Sequence, residues 1–367
     1  MPQAPNLTTF LITAAAVLFW VTGGAAQDTP RIQPMVSGLD APWAIAPMAD
    51  GRVLITLKGG ELILAGPDGQ HKVAGVPKVR VKGQGGLLDI TLANDFDQTR
   101  QVFLTYAKRQ AGGGSGTALA TAFLSADGRK LKRLTQLFEM KPGSSGGRHF
   151  GSRVVQARDG KLFMTIGERG DRPAAQDLAN HNGSIIRLNR DGTVPVDNPF
   201  VNTPGALPQI WSYGHRNPQG AGFDQNGNLW VSEHGAKGGD EVNLITRGAN
   251  YGWPIISYGR HYSGARIGEG TAKAGLQQPA YYWDPSIAPS GLLVYSGKMF
   301  PQWRGHIFVG SLKFDYIARL NGAPLTEVGQ IKSPETHRVR DIVEGPDGAI
   351  WFISVGNGTI YRIAKKT

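Results

Sequence analysis

The chain of 367 residues contains no cysteine. Disulfides, thiolate metal sites, cysteine nucleophiles and lipidated cysteine are therefore excluded, and stability has to come from packing and from bound metal. Runs of five or more basic residues are also lacking, as is any basic stripe interleaved with aromatics, although the net charge is +11 and the isoelectric point about 9.8. Nucleic acid is thus a poor partner for this chain, and a small polyanion held in a basic pocket suits the charge better. Charge is missing altogether from residues 1–26, where an apolar stretch from Phe10 to Val21 is followed by Gly24-Ala25-Ala26. That pattern predicts a cleaved secretory signal, with an uncleaved anchor as the alternative, since the stretch is short for a membrane span and no Lys or Arg precedes it.

What is abundant is turn chemistry. Fifty-one glycines and 23 prolines are spread along the whole chain, which leaves little room for long helices, while 40% hydrophobic residues still permit a full core. A phrase recurs: Asp or Asn, then Gly, one further residue, then three apolar β-prone residues. It occurs at Asp50-Gly51, Asp159-Gly160, Asn226-Gly227 and Asp347-Gly348, so the gaps are 109, 67 and 121 residues. These gaps approximate two, one and two units of about 60, the fixed period of a repeat architecture. The disguised units fall at Phe96 to Tyr106 and at Gly291 to Val309. Six units of four short strands predict an all-β six-bladed β-propeller of antiparallel sheets over residues 27–367. Gly112 to Gly116 reads as a hairpin tip. The non-repetitive stretches 167–218 and 232–286 are expected to project from one face, around the axis, and to carry the chemistry.

Several residues are candidates for that chemistry. His149 sits in a glycine-rich loop, Gly146-Gly147-Arg148-His149-Phe150-Gly151, and is either a general base or a structural histidine. The match of Gly143-Ser144-Ser145-Gly146-Gly147 to a serine-hydrolase elbow lacks the flanking strand and helix and is a chance match. Trp211 to Gly220 packs two aromatics, a fixed cation, Arg216, and two amides, Asn217 and Gln219, into a proline-bounded loop. Glu233 to Glu241 mixes carboxylates with glycine-exposed carbonyls and is either a calcium loop or a solvated turn. Lys313 and the pair Arg338 and Arg340 lie at strand edges. Alternation puts the two arginines on one face, either as a carboxylate clamp or as outer surface charge.

Taken in order, GQGGLLDI at 83–90, RHFG at 148–151, RPAAQDL at 172–178, WSYGHRNPQG at 211–220, SEHG with GGDEVNLI at 232–245, NYGWP at 250–254 and RVRDI at 338–342 form one set. The set resembles the soluble glucose dehydrogenases that depend on pyrroloquinoline quinone (PQQ), and especially their aldose sugar dehydrogenase branch, over nearly the whole mature chain. The resemblance implies oxidation of aldoses at the anomeric carbon to lactones, with His149 as base, Gln84 orienting the sugar, and Arg216 with Asn217 at the quinone carbonyl. It implies that Lys313, Arg338 and Arg340 bind the PQQ carboxylates and that Trp283 forms an aromatic wall over the cofactor. Calcium on the cofactor would take the backbone carbonyls of Gly235 and Ala236, and a second calcium Glu241 and Tyr251. It also implies an exported, periplasmic enzyme with an external electron acceptor, no nucleic-acid partner and no stable membrane insertion, with a homodimer left open. The alternatives are a metal-dependent propeller lactonase and a propeller recognition module without catalysis.

Overall fold

The computed structural model describes residues 30–111 and 113–365. The expected secretory signal at 1–26 lies outside the described residues. Six four-stranded antiparallel sheets account for all the sheet structure described, so the sequence-based six-bladed propeller is borne out. The blades begin with the inner strands Pro42–Pro47, Leu87–Leu92, Val154–Gln156, Pro218–Phe223, Pro289–Val294 and Val339–Glu344. Each inner strand touches those of its two neighbours, which closes the ring. The last blade is completed by the first described strand, Pro30–Val36, which pairs antiparallel with Thr359–Lys365 in the register Ile32↔Ile363. Joining the two chain ends in one sheet leaves no open edge at the seam.

The recurring turns lie where the repeat requires them. Asp50-Gly51, Asp159-Gly160, Asn226-Gly227 and Asp347-Gly348 each join the inner strand of a blade to its second strand. The glycines have φ of 84°, 84°, 85° and 86°, a left-handed conformation that side chains with a Cβ rarely adopt. In the second blade the same connection is the short helix Phe96–Thr99, and in the fifth it is the longer loop before Ile307–Ser311. These are the two disguised units.

Burial alone does not explain how six sheets keep their angular order, because the alternating aliphatic clusters between them are non-directional. Hydroxyls supply direction. A buried Thr or Ser on the second strand of one blade donates to a carbonyl on the approach to or within the inner strand of the next: Thr56 to Leu88 O, Thr105 to Ser152 O, Thr165 to Pro218 O and Ser232 to Ser290 O, at 2.5 to 2.8 Å. At the next junction Ser290 Oγ donates to Val339 O at 2.7 Å, and the ring closes where the Ile45 amide donates to Asp341 Oδ2 at 3.0 Å. Each hydroxyl bond satisfies a buried carbonyl, and the last one a buried amide, that otherwise would cost about 1–3 kcal/mol.

All inner strands start at one end of the axis. The connections entering them, together with the links between second and third strands, therefore converge there. Of the two stretches expected to project around the axis, 167–183 and 234–239 are such links. By contrast, 189–209 joins third to fourth strands and leaves from the far end, which corrects part of that expectation. The glycine run at 112–116 is the tip of the hairpin Gln101–Arg109 with Ser115–Leu124, Gly112 itself lying outside the described residues. Among the described residues no helix is long and apolar enough to cross a membrane.

Candidate active site

At the end of the axis where the inner strands begin, the chain encloses a cavity of about 790 Å³. Gln84, His149, Arg216, Asn217, Gly235, Ala236, Lys313, Arg338 and Arg340 all line it. They come from connections of five different blades and, for Arg340, from the inner strand Val339–Glu344, so nothing but the closed ring brings them together.

His149 is held by three features. Its φ is 52°, its amide donates to Gln84 Oε1 at 2.7 Å, and its Nδ1 lies 2.6 Å from Glu168 Oε2. Glu168 is buried and also accepts the amide of Gly170 at 2.7 Å, so its carboxylate cannot swing away. A carboxylate at Nδ1 fixes that nitrogen as the proton-bearing one and leaves Nε2 as the basic nitrogen. Burial lowers the His149 pKa below the usual imidazole value, with Arg216 and Arg148 adding to the effect, while Glu168 opposes it. The imidazole is therefore neutral at neutral pH, as a proton acceptor must be.

Arg169, next along the chain, braces the same loop from beneath. Its guanidinium lies 3.4 Å from the centre of the Phe150 ring and donates to the carbonyls of Arg148 and Gly146. Ser144, in the hydrolase-like match, is a loop hydroxyl that accepts the Gly146 amide at 3.1 Å, and no nucleophile geometry surrounds it.

The cations form the second half of the site. Arg216 is buried, its amide donates to Glu233 Oε2 at 2.8 Å, and its Nη1 donates to His234 O at 3.2 Å. Its Nε is buried without a partner. Arg340 Nη1 donates to Gln219 Oε1 at 2.9 Å, and Arg338 Nη1 to Leu312 O at 3.0 Å. Val339 between them is buried under the blade, so the two arginines share the cavity face. Among the described residues none of Arg216, Lys313, Arg338 and Arg340 forms an ion pair with a carboxylate. Desolvation, then the charges of Arg338 and Arg153, pushes Arg340 down to about 10. Such a group gains from an anionic ligand.

Three expected residues lie apart from this cavity. Trp283 is buried in the fourth blade, its Nε1 donating to Glu327 Oε2 at 2.7 Å, and it packs with Val242 and Leu292. It does not line the cavity. Trp43, Tyr262 and Pro285 are the ring-bearing residues that do, apart from the histidines. Glu241 and Tyr251 line a small adjoining void of about 20 Å³ that shares Arg216, His234 and Gly235 with the main cavity. There burial, then the neighbouring Glu233, raises the Glu241 carboxyl well above the usual range. The Tyr251 hydroxyl is committed to Leu244 O at 2.6 Å and to the Thr246 amide at 2.9 Å, so any ligand from this residue would be its backbone carbonyl.

Sequence reasoning singled out neither Glu168 nor His234, and it named Gln219 without a role. Gln219 Oε1 bridges Arg340 and His234 Nε2, the latter at 3.0 Å, and burial with the surrounding cations drives the His234 pKa far down. Among the described residues no group of three or more His, Asp or Glu side chains could hold a metal ion. A divalent ion in the main cavity would have to rely on carbonyls such as those of Gly235 and Ala236, and on oxygens of a bound ligand. The donor set fits calcium on those terms.

Fold and cavity together define a propeller enzyme with a cationic axial pocket and a carboxylate-oriented histidine. The profile of the Glucose / Sorbosone dehydrogenase family matches residues 39–362, and the chain belongs to that family. It is 43% identical over 351 residues to the Aldose sugar dehydrogenase YliI of Escherichia coli (strain K12), covering 93% of this chain and 95% of that one. The crystal structure of the soluble Aldose sugar dehydrogenase from Escherichia coli in the apo-form superposes with a TM-score of 0.89 at 40% identity, over 92% of this chain and all of the other. Quinoprotein glucose dehydrogenase B of Acinetobacter calcoaceticus is 26% identical over 406 residues, 87% of this chain and 84% of that. The chain is thus a sugar-oxidising oxidoreductase, and the reading of it as a recognition module without catalysis is set aside.

Proposed function

We propose that this chain oxidises aldoses at the anomeric carbon to lactones, with PQQ as the bound oxidant, calcium beside it and His149 as the general base. The observation that carries the reading is the set of four cations without carboxylate partners facing the same cavity as His149. A tricarboxylate suits them. Lys313, Arg338 and Arg340 would take its carboxylates, and the unpartnered Nε of Arg216 would donate towards a quinone oxygen, where charge develops during hydride transfer. PQQ, when bound, would supply a quinone able to accept a hydride, that is two electrons and one proton, and calcium would supply Lewis acidity at that quinone.

The chain's own contribution is positional. His149 Nε2 takes the proton of the sugar's C1 hydroxyl as hydride leaves C1. Glu168 stabilises the imidazolium that forms, as an orienting carboxylate does in a serine-protease triad. Gln84, whose side-chain oxygen is held by the His149 amide, keeps its NH₂ group for a sugar hydroxyl. Asn217 accepts the Gly151 amide at 3.1 Å and fixes the end of the catalytic loop against Arg216. Export to the periplasm remains part of this proposal, resting on residues 1–26.

The test is reconstitution. Purified protein given PQQ and calcium is expected to reduce an artificial acceptor with aldoses. His149→Gln should lose most of that rate, about 100-fold or more, while still binding the cofactor. A fully active His149→Gln variant contradicts the base assignment, and no cofactor-dependent turnover contradicts the reading as a whole.

A further inference from the structure

Arg216 is the cation assigned to the quinone, yet its guanidinium is thinly held by hydrogen bonds. Its amide is fixed on Glu233, but among the described residues its side chain makes a single bond, Nη1 to His234 O at 3.2 Å, and its Nε has no partner. One bond to one nitrogen leaves the guanidinium plane free to turn about it. A donor fork is directional only when that plane is set.

The indole of Trp253 supplies the missing constraint. The Arg216 Cζ stands over that ring at 5.3 Å from its centre, inside the range of about 6 Å in which a ring face attracts a cation, and tryptophan is the strongest such ring. Both side chains are buried, so water screens the attraction little. Trp253 itself does not line the main cavity. It therefore reaches a ligand there through Arg216 and not by touching it.

The indole is located by backbone. Residues 211–220 and 250–254, two separate motifs in the sequence, are stitched together where they meet. The Tyr213 amide donates to Ala249 O at 3.1 Å, the Tyr251 amide to Tyr213 O at 2.9 Å, and the Trp253 amide to Gly214 O at 2.8 Å. Gly214 has φ of 78°, and a Cβ on it would stand 2.1 Å from Asn250 Oδ1 and 2.7 Å from the Gly252 nitrogen, so the close approach requires glycine. Gln176 Nε2 holds the Trp253 carbonyl at 2.7 Å, while Ala175, Ala236 and Ile267 pack around the residue. Arg216 lies two residues beyond Gly214, so this ladder sets the distance between indole and guanidinium.

We infer that Trp253 is a positioning residue for the oxidation, fixing the plane in which Arg216 donates into the cavity. The inference rests on the dehydrogenase reading and adds one residue to it. No bond or proton moves on the indole. Its effect is confined to the direction of a neighbouring donor.

The experiment has two readouts. Apoprotein is titrated with PQQ in the presence of calcium by calorimetry, and the loaded enzyme is assayed with an artificial acceptor over a range of aldose concentrations. Trp253→Met, which fills much of the space without a ring face, should weaken PQQ binding about fivefold to tenfold and lower kcat by a similar factor, with the aldose KM within about twofold of the parent. Trp253→Phe, which keeps a ring, should lose about threefold or less in each. The deciding comparison is made in an Arg216→Met background, where Lys313, Arg338 and Arg340 remain to hold PQQ. There Trp253→Met should change PQQ affinity by less than about twofold, because its partner is already gone. A purely structural role would give the same loss in both backgrounds. That additive result, or parental PQQ affinity and kcat in Trp253→Met, overturns the inference. If chemical denaturation shows that Trp253→Met does not fold, the smaller Trp253→Phe loss must vanish in the Arg216→Met background, and its persistence there overturns the inference. A parent protein that neither binds PQQ nor oxidises aldoses overturns the dehydrogenase reading instead.

Discussion

Arg153 and Arg340 lie one above the other on the propeller axis and share two neighbours, yet they are treated in opposite ways. Both stand against the Trp43 ring, at 5.0 and 6.0 Å, and both bond Gln219, Arg153 through the backbone carbonyl and Arg340 through the side chain. Arg153 is clasped by Asp89 at 2.6 Å and Asp341 at 2.9 Å. Burial would lower its pKa, but Asp341 and Asp89 together raise it. Arg340 has no carboxylate and is pushed down instead. The same fold thus neutralises a cation where it needs a plug across its channel, and leaves one open where an anion is to be received. Beyond the plug lies a separate cavity of about 260 Å³ at the far end, lined by Pro47, Leu92, Val155 and Glu344.

The comparison can be broken most sharply at the plug. Arg153→Met leaves two buried carboxylates facing each other, and chemical denaturation should register a loss of about 3–5 kcal/mol. A loss under about 1 kcal/mol would mean that the clasp is not what closes the axis. At the open cation the expectation reverses. Arg340→Met should leave the denaturation midpoint nearly unchanged but weaken PQQ binding by about 100-fold, with Arg340→Lys in between, as read by calorimetric titration.

A smaller effect is expected from the residue behind the base. Glu168→Gln should reduce kcat by roughly tenfold to a hundredfold and move the acid limb of the kcat/KM profile to lower pH, because Glu168 holds the His149 pKa up against burial. Sign is the test here, since a move to higher pH contradicts the assigned pairing. In the parent enzyme the same limb should lie below the usual imidazole value of 6.5. Smallest of all, Trp283→Phe should leave PQQ affinity within about twofold and cost about 1 kcal/mol of stability through the lost bond to Glu327.

What was legible in the sequence follows from what is local. The Asx-Gly turns could be read because a left-handed glycine and the preceding side chain, whose carboxylate at Asp50, Asp159 and Asp347 accepts the amide two residues on, form one local motif. The cationic residues could be read through their motifs, and their meeting in one cavity follows from the closed ring. Glu168 could not. It is one of 28 acidic residues, and only the path of the loop after Leu162–Ile166 brings it to His149. The hydroxyl staples between blades were equally hidden, because Thr56 or Ser232 looks like any strand residue until the neighbouring sheet is in place. Trp283 shows the converse failure. An aromatic beside Asp284 and Pro285 sits one residue from the cavity lining, and a strand's alternation turns it into the core.

The most direct test of the central claim is a crystal structure of the protein grown with PQQ and calcium. The account predicts the cofactor in the axial cavity, its carboxylates on Lys313, Arg338 and Arg340, its quinone edge towards Arg216, and His149 Nε2 open to the substrate space above it. Cofactor bound elsewhere, or bound there with those four cations turned away, would contradict it.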